Sequence, residues 1–431
     1  PIYFNKRMSD QFIFWDLETT GRNDKYDQIT QVGAVLTDKN FEVKDKLEIH
    51  SKLREGKWFE PGALITTGVD PINLFKNNYP NYYEASAQLY ETFQQWSSPS
   101  AIFIGFNNIN FDEPFLRQAL YQNLMPELYM TVTSNNTRMD VFEILRLVSV
   151  YSPEHIKFNQ DDQGYPILKL DQIFKLNNIS ISYEAGPHDA VFDSLVTLEL
   201  NKILSIRCPQ IWNAAYDFRL RETPKKFMMS NSVFTNTTFW GRRPTIKAQT
   251  LIGGIPGKNH HYLVYNLLFD PKKLQDLDDK ELLKKMNDGA KRICEVFDGS
   301  KSKTLLSESY CFKDSKFAEI GIDELRLRAN FIKTNEKFCS RLIQLHLDNQ
   351  KQWPEPFNIE ERIFESFPSP QDKKLMIEFH TAPNTKKYEV SKQFKDERYK
   401  ELAIRIIFEI APQTLPEQER RNYQLEIQER F

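Results

Sequence analysis

Apolar and polar positions alternate along this chain in two rhythms. Near its start, Phe12-Ile13-Phe14-Trp15 is an unbroken apolar run that closes on Asp16-Leu17-Glu18-Thr19-Thr20-Gly21, the signature of a buried strand ending in a polar turn. Further strand-like runs cover Thr30 to Thr37 and Val43 to Leu53, and the short polar connections between them predict an antiparallel meander. A helix presenting Leu89, Phe93 and Trp96 on one face comes next, then a fourth strand in Ala101-Ile102-Phe103-Ile104-Gly105-Phe106. Helices are predicted over 112–124, 139–150, 168–177 and 189–205, so residues 1–205 read as one α/β unit. Cys208-Pro209 marks a boundary. Residues 210–355 mix short strands (Thr237 to Gly241, Tyr262 to Leu267) with charged helical runs such as Asp278 to Met286. Trp353-Pro354-Glu355-Pro356 reads as a linker, and charged amphipathic helices fill 356–431.

Acids stand at the ends of several of these elements. Asp16 and Glu18 are two apart on a strand and therefore project from one face. Adjacent carboxylates repel and resist desolvation unless a positive charge lies between them. Hard oxygen donors favour magnesium or manganese over zinc. Asp112 follows Asn107-Asn108-Ile109-Asn110-Phe111 where a helix with Phe115, Leu116, Ala119 and Leu120 begins; taken alone, it fits a capping residue better than a ligand. In Gly186-Pro187-His188-Asp189-Ala190-Val191-Phe192-Asp193, His188 and Asp193 are five apart, which puts them on different faces of an ideal helix. They can share a site only if His188 sits in the turn, swung over the helix start. Asp189 is the better candidate for an ordinary cap.

Composition narrows the picture modestly. The chain has 431 residues, of which 40% are hydrophobic, enough for several domains with normal cores. No apolar stretch approaches the roughly 18 residues of a membrane span, and no secretory signal leads the chain, which starts at Pro1. Cys208, Cys294, Cys311 and Cys339 lack metal-ligand spacing and point to a reducing, cytoplasmic setting. A net charge of −2 is not that of a protein that coats DNA, yet an acidic site can offset basic residues elsewhere. Aromatics reach 13%, and some could stack on unpaired bases.

Taken together, Asp-x-Glu on a first strand, Asp at a strand-to-helix turn and His-x4-Asp at a helix start resemble the DEDDh 3′→5′ exonucleases, and most closely the bacterial exonuclease I family. Phe59 through Pro71 looks like that family's loop after the third strand, Gly105 through Asp112 like its second exonuclease motif, and Asn136-Thr137-Arg138-Met139-Asp140 like a further family segment. The likeness continues more faintly through Phe239-Trp240-Gly241-Arg242 and Ala318-Glu319-Ile320-Gly321-Ile322. It implies a ribonuclease-H-like exonuclease domain with a mixed sheet (1–205), an SH3-like domain (210–355) and a helical C-terminal domain (356–431). The family runs several helical turns beyond the equivalent of Phe431.

The resemblance also implies roles. Asp16, Glu18, Asp112 and Asp193 would hold two Mg2+ ions, with Mn2+ able to substitute, and His188 would be general base. Glu18, Thr19, Thr67, Gly68, Asn108, Arg117, Arg146 and Lys169 fall at substrate-binding positions. Lys169 replaces an arginine and loses bidentate phosphate geometry. Asn110 and Glu113 stand where the second motif often carries Arg and Asp. The implied substrate is single-stranded DNA, degraded to 5′-mononucleotides in repair and recombination. The implied partner is a single-stranded-DNA-binding protein, and a monomer with no membrane association is expected. Two basic clusters, Arg219/Arg221/Lys225/Lys226 and Arg242/Arg243/Lys247, could line a single-strand groove or be plain surface charge. The acids alone do not separate DNA from RNA. An exoribonuclease or proofreading exonuclease therefore remains an alternative, as does a catalytically silent single-strand-binding clamp.

Overall fold

The computed structural model describes residues 11–70, 72, 78–351 and 354–429, so Pro71 and Trp353 lie outside the described residues. Compactness groups the chain into two units, Pro1–Arg138 with Ser180–Glu199 and Pro354–Phe431, and Met139–Ile179 with Leu200–Trp353.

The first unit is built on β1 (Gln11–Thr19), β2 (Ile29–Asp38), β3 (Val43–His50), β4 (Ile102–Gly105) and the start of β5 (Thr137–Asp140), in the order β3-β2-β1-β4-β5. β1 pairs antiparallel with β2, β2 antiparallel with β3, and β1 parallel with β4, so the sheet is mixed. The unbroken apolar run of β1 is explained by cover on both faces. Ile13, Trp15 and Leu17 enter the main core, where Trp15 meets Phe93 edge-on at 5.9 Å, while Phe12 and Phe14 pack on Phe41. Phe93 belongs to the helix Tyr82–Trp96, whose start carries a reciprocal capping box between Asn81 and Glu84.

Three local expectations need correction. The Phe59–Pro71 region is not a plain loop: Pro61–Thr67 is a helix, begun by Pro in its first turn and closed by Gly68 at φ 64, whose N–H bonds Leu64 O. The helix expected from residue 139 begins at Val141, because Met139 and Asp140 finish β5 and the Asp140 carboxylate accepts the Phe142 N–H. β3 ends at His50 rather than Leu53, since Lys52 N–H leaves the sheet to bond Pro80 O.

The C-terminal helices join the same unit. Leu375, Phe379, Val390, Leu402 and Ile406, from Pro370–Thr381, Asn384–Ser391 and Glu397–Ile410, share a core with Tyr83, Tyr121 and Leu124. Glu409 fastens this layer: its carboxylate accepts from Arg54 Nε at 2.6 Å and from the Tyr82 N–H at 2.7 Å, at the N-terminus of the Tyr82–Trp96 helix.

The second unit contains an antiparallel sheet in the order Cys294–Asp298, His261–Asn266, Arg243–Gly254, Phe234–Trp240, Leu306–Ser307. The helices Ile322–Thr334 and Glu336–Asp348 contribute Leu325, Ala329, Ile332, Phe338 and Leu342 to the core of that unit, with Val233, Leu263 and Tyr265. All four cysteines are buried free thiols. Among the described residues no helix is long and apolar enough to cross a membrane.

Arg54 and Glu409 are both nearly buried, so Glu409→Ala leaves a desolvated guanidinium without its counter-charge. We expect a loss of about 3–5 kcal/mol in urea unfolding; a change near zero contradicts the tie.

Candidate active site

Asp16 and Glu18 end the buried run of β1, half-buried on one face of the strand. Across the β1–β2 ladder Asp16 faces Gly33 and Glu18 faces Gln31; the register then jumps, Thr19 pairing with Ile29. Thr30, skipped by the jump, donates its hydroxyl to Glu18 O at 3.1 Å. A bulge of this kind re-aims the strand end beside a site.

Asp112 reaches the pair from the other side. It is the first residue of the helix Asp112–Gln122, yet it is not the cap: that position is Phe111, which makes no side-chain cap bond. Instead Asp112 Oδ1 accepts the N–H of Leu17, the residue between Asp16 and Glu18, at 3.0 Å. The β1–β4 pairing ends at Phe14 opposite Ile104, so the carboxylate takes up a strand N–H beyond it. The turn that delivers Asp112 needs Gly105, where a Cβ would lie 2.6 Å from the Asn108 side chain. Asn108 is fully buried, its carbonyl accepts the Glu113 N–H at 2.8 Å, and its amide side chain makes no hydrogen bond.

The last two groups come from the start of the helix Ala190–Arg207. Its close approach to the sheet depends on Gly33, where a Cβ would sit 2.0 Å from Ala190 C and 2.2 Å from Val191 N. Ser194 Oγ bonds Gly33 O at 3.0 Å. Asp189 is the cap, Oδ1 accepting from the Val191 and Phe192 N–H groups at 3.1 and 3.0 Å. His188 occupies the turn in the left-handed region at φ 68, exposed, and its N–H donates to Asp193 Oδ2 at 3.2 Å. A ring nitrogen of His188 and carboxylate oxygens of Glu18 and Asp193 all lie within 4.8 Å of one another. Asp16 and Asp112 are outside that tight trio, and their charge is felt by it.

The electrostatics follow from this crowding. Burial, then Asp112, Asp193, Glu18 and Asp189, hold the Asp16 carboxyl well above the usual range. Burial, then Asp193, Asp112 and Asp189, push Glu18 up to about 9. Every one of these influences favours the protonated form. The donors are carboxylate oxygens plus one imidazole, a set that suits a hard divalent cation, whose charge would oppose the protonation that burial and repulsion favour.

The other sequence candidates divide between the units. In the first, Thr19 bonds its hydroxyl to Gly21 O, Thr67 bonds Ala63 O, and Gly68 closes its helix. Arg117 lies 4.7 Å over the Tyr129 ring and 3.7 Å from Glu113. Glu113 itself is buried and ion-pairs with Arg138, so this departure from the second motif forms an internal network. In the second unit Arg146 stacks on Phe142 and Phe239, and Lys169 is exposed at the start of Leu170–Leu176. The basic clusters lose members: Arg219 is buried over Tyr216, and Lys247 is buried against Glu295. Gln31 and Gly33 were not singled out from the sequence. A Gly inside an apolar strand run is the available signal, since it marks close backbone approach.

A family model described as Exonuclease matches residues 13–200, and one described as Exonuclease I C-terminal domain matches residues 357–431. Exodeoxyribonuclease I of Buchnera aphidicola subsp. Schizaphis graminum is 28% identical over 215 residues, covering 50% of this chain and 43% of that protein. The chain spans about half the length of the curated relatives it matches there. Exodeoxyribonuclease I of Haemophilus influenzae is 23% identical over 414 residues, covering 91% of this chain and 84% of that protein. A crystal structure of Escherichia coli exonuclease I in complex with a dA16 oligonucleotide superposes with a TM-score of 0.83 at 20% identity, covering 98% of this chain and 92% of the other. At that identity the likeness concerns fold, and the mixed sheet with its helices is a ribonuclease-H-like exonuclease domain.

The raised carboxyls set a pH dependence. Unfolded, Glu18 titrates near 4.5; folded, near 9. The folded protein therefore holds the extra proton across that window, and metal-free stability falls as pH rises through it. The melting temperature of the metal-free protein should drop between pH 5 and pH 9, and a divalent cation should raise it more at the alkaline end. A cation shift equal at both ends contradicts the cluster.

Proposed function

We propose that this chain is a member of the exonuclease I family and acts as a magnesium-dependent 3′→5′ exodeoxyribonuclease. It would shorten single-stranded DNA to 5′-mononucleotides in repair and recombination. The observation that carries the reading is the convergence of Glu18, His188 and Asp193 within 4.8 Å, beside the Asp112 carboxylate anchored between Asp16 and Glu18.

Asp16, Glu18, Asp112 and Asp193 would hold two Mg2+ ions. Bound there, such ions acidify an attacking water and offset charge on the departing 3′ oxygen. His188 would take the proton of that water. Its exposure lets the ring meet solvent and then discharge the proton, while its N–H bond to Asp193 fixes where the ring stands. The water oxygen bonds to phosphorus, the P–O3′ bond breaks, and the shortened strand leaves with a new 3′ hydroxyl.

Thr19, Thr67, Gly68 and Asn108 would meet the terminal nucleotide; the buried, unbonded amide of Asn108 supports that role. Arg117, Arg146 and Lys169 would grip the strand. The division into 1–205, 210–355 and 356–431 is supported by the limits of the matched family models. The SH3-like reading of the middle segment is supported by its five-stranded antiparallel sheet. A single-stranded-DNA-binding protein as partner is supported by a relative solved as an SSB/exonuclease I assembly. A cytoplasmic, monomeric protein completes the proposal.

Incubation with 5′-labelled single-stranded DNA, duplex DNA and RNA, with and without magnesium, tests it. A ladder shortened from the 3′ end on single-stranded DNA alone, abolished by chelator, is expected. Preferential RNA loss would indicate an exoribonuclease, and binding without shortening a clamp. Asp193→Ala and His188→Ala should each lower the rate at least about 10²-fold with the strand still bound; full activity in either overturns its role.

A further inference from the structure

We propose that Gln31 is the positioning residue of this site: a single neutral amide that fastens the start of the Ala190–Arg207 helix to β2 and so holds Asp193 and His188 against Glu18. The inference rests on the nuclease reading above.

Gln31 is buried in β2, directly across the ladder from Glu18. Its amide works from both ends. Nε2 donates to Asp189 Oδ2 at 2.8 Å and more weakly to Glu48 Oε1 at 3.3 Å, and Oε1 accepts the Ala190 N–H at 3.2 Å. Asp189 passes the constraint on, because its carbonyl accepts the Asp193 N–H at 2.9 Å and its other carboxylate oxygen caps the first turn. Two residues along the same face, Gly33 supplies the clearance that lets the helix lie this close. Gly33 permits the approach, and Gln31 sets its depth.

The chemistry demands an amide at this point. A glutamate could still accept from Ala190 but could not donate to Asp189, and it would add a charge to a neighbourhood where Asp189 already raises Asp16 and Glu18. An alanine would leave the Asp189 carboxylate and the Ala190 N–H without their partner. Gln31 acts through Asp189 and the helix start. Exchanging the two roles preserves the pairing: with Gln31→Glu and Asp189→Asn, the new asparagine donates to the new glutamate, which still accepts from Ala190. Glu48, whose side chain is 43% exposed, can turn outward to accommodate the change.

The test compares wild type, Gln31→Ala, Gln31→Glu, the Gln31→Glu/Asp189→Asn double variant and Asp193→Ala. It reads kcat and KM on single-stranded DNA, and the Mn2+ concentration at half-maximal thermal stabilisation. Gln31→Ala should lower kcat about 10²-fold with KM within about twofold, and raise the Mn2+ midpoint about 10-fold, the low end of the scale for losing a group that orients a metal ligand, here Asp193 through Asp189. Gln31→Glu should be at least as impaired, and the double variant should recover at least about tenfold of that loss. Gln31→Ala within about twofold of wild type in both readouts, or a double variant no better than Gln31→Glu, overturns the proposal. If Gln31→Ala fails to fold, the isosteric Gln31→Glu and the double variant decide. An inert wild type would sink the nuclease reading while the Mn2+ midpoints still judge Gln31. An inert Asp193→Ala beside a fully active Gln31→Ala would sink this inference alone.

Discussion

Repulsion among carboxylates at the end of one buried strand is the constraint around which the first unit is arranged. Asp16 and Glu18 are brought together by strand geometry, and Asp112, Asp193 and Asp189 are folded in beside them. Such a cluster is costly to desolvate. The fold meets part of that cost with fixed donors. Leu17 N–H serves Asp112, His188 N–H serves Asp193, and the helix N–H groups with the Gln31 amide serve Asp189. Asp16 and Glu18 are instead pushed toward the protonated form by burial and by their neighbours, a bias that a divalent cation would reverse.

Rigidity comes from the elements that carry these groups. β1 is covered on both faces, so its end is held by core packing rather than by the acids themselves. Gly105 and Gly33 are the places where backbone must pass close: one folds the Asp112 turn over Asn108, the other seats the helix that bears Asp193. The C-terminal helices share a core with Tyr83 and Tyr121, on the two helices that flank β4 in the chain. Core packing of β1 and close backbone approach at the two glycines thus converge on the same strand end.

Much of the site was legible in residue order because its members sit where elements end. The apolar run of β1 closes on Asp16 and Glu18, and the five-residue spacing of His188 and Asp193 required His188 to leave the helix, as φ 68 records. What escaped was decided by distance in space. Gln31 lies 158 residues from Asp189, and nothing in its neighbours marks it as different from any strand amide. The Pro61–Thr67 helix is short and buries no residue, so it leaves no apolar period to read. Arg219 and Lys247 read as groove lining or surface charge, and both are buried, beside Tyr216 and Glu295. Glu409 reaches Tyr82 across 327 residues, a contact that no local pattern announces.

A carboxyl-carbon NMR titration of Glu18 in the metal-free protein reads the combined effect of burial and of the neighbouring carboxylates Asp193, Asp112 and Asp189. A midpoint near 9 that collapses into or below the ordinary carboxylate range when magnesium is added is the outcome this account requires. A midpoint near 4.5 without any cation would mean that Glu18 is neither desolvated nor crowded by Asp193, Asp112 and Asp189, and the cage they are said to form would lose its physical basis.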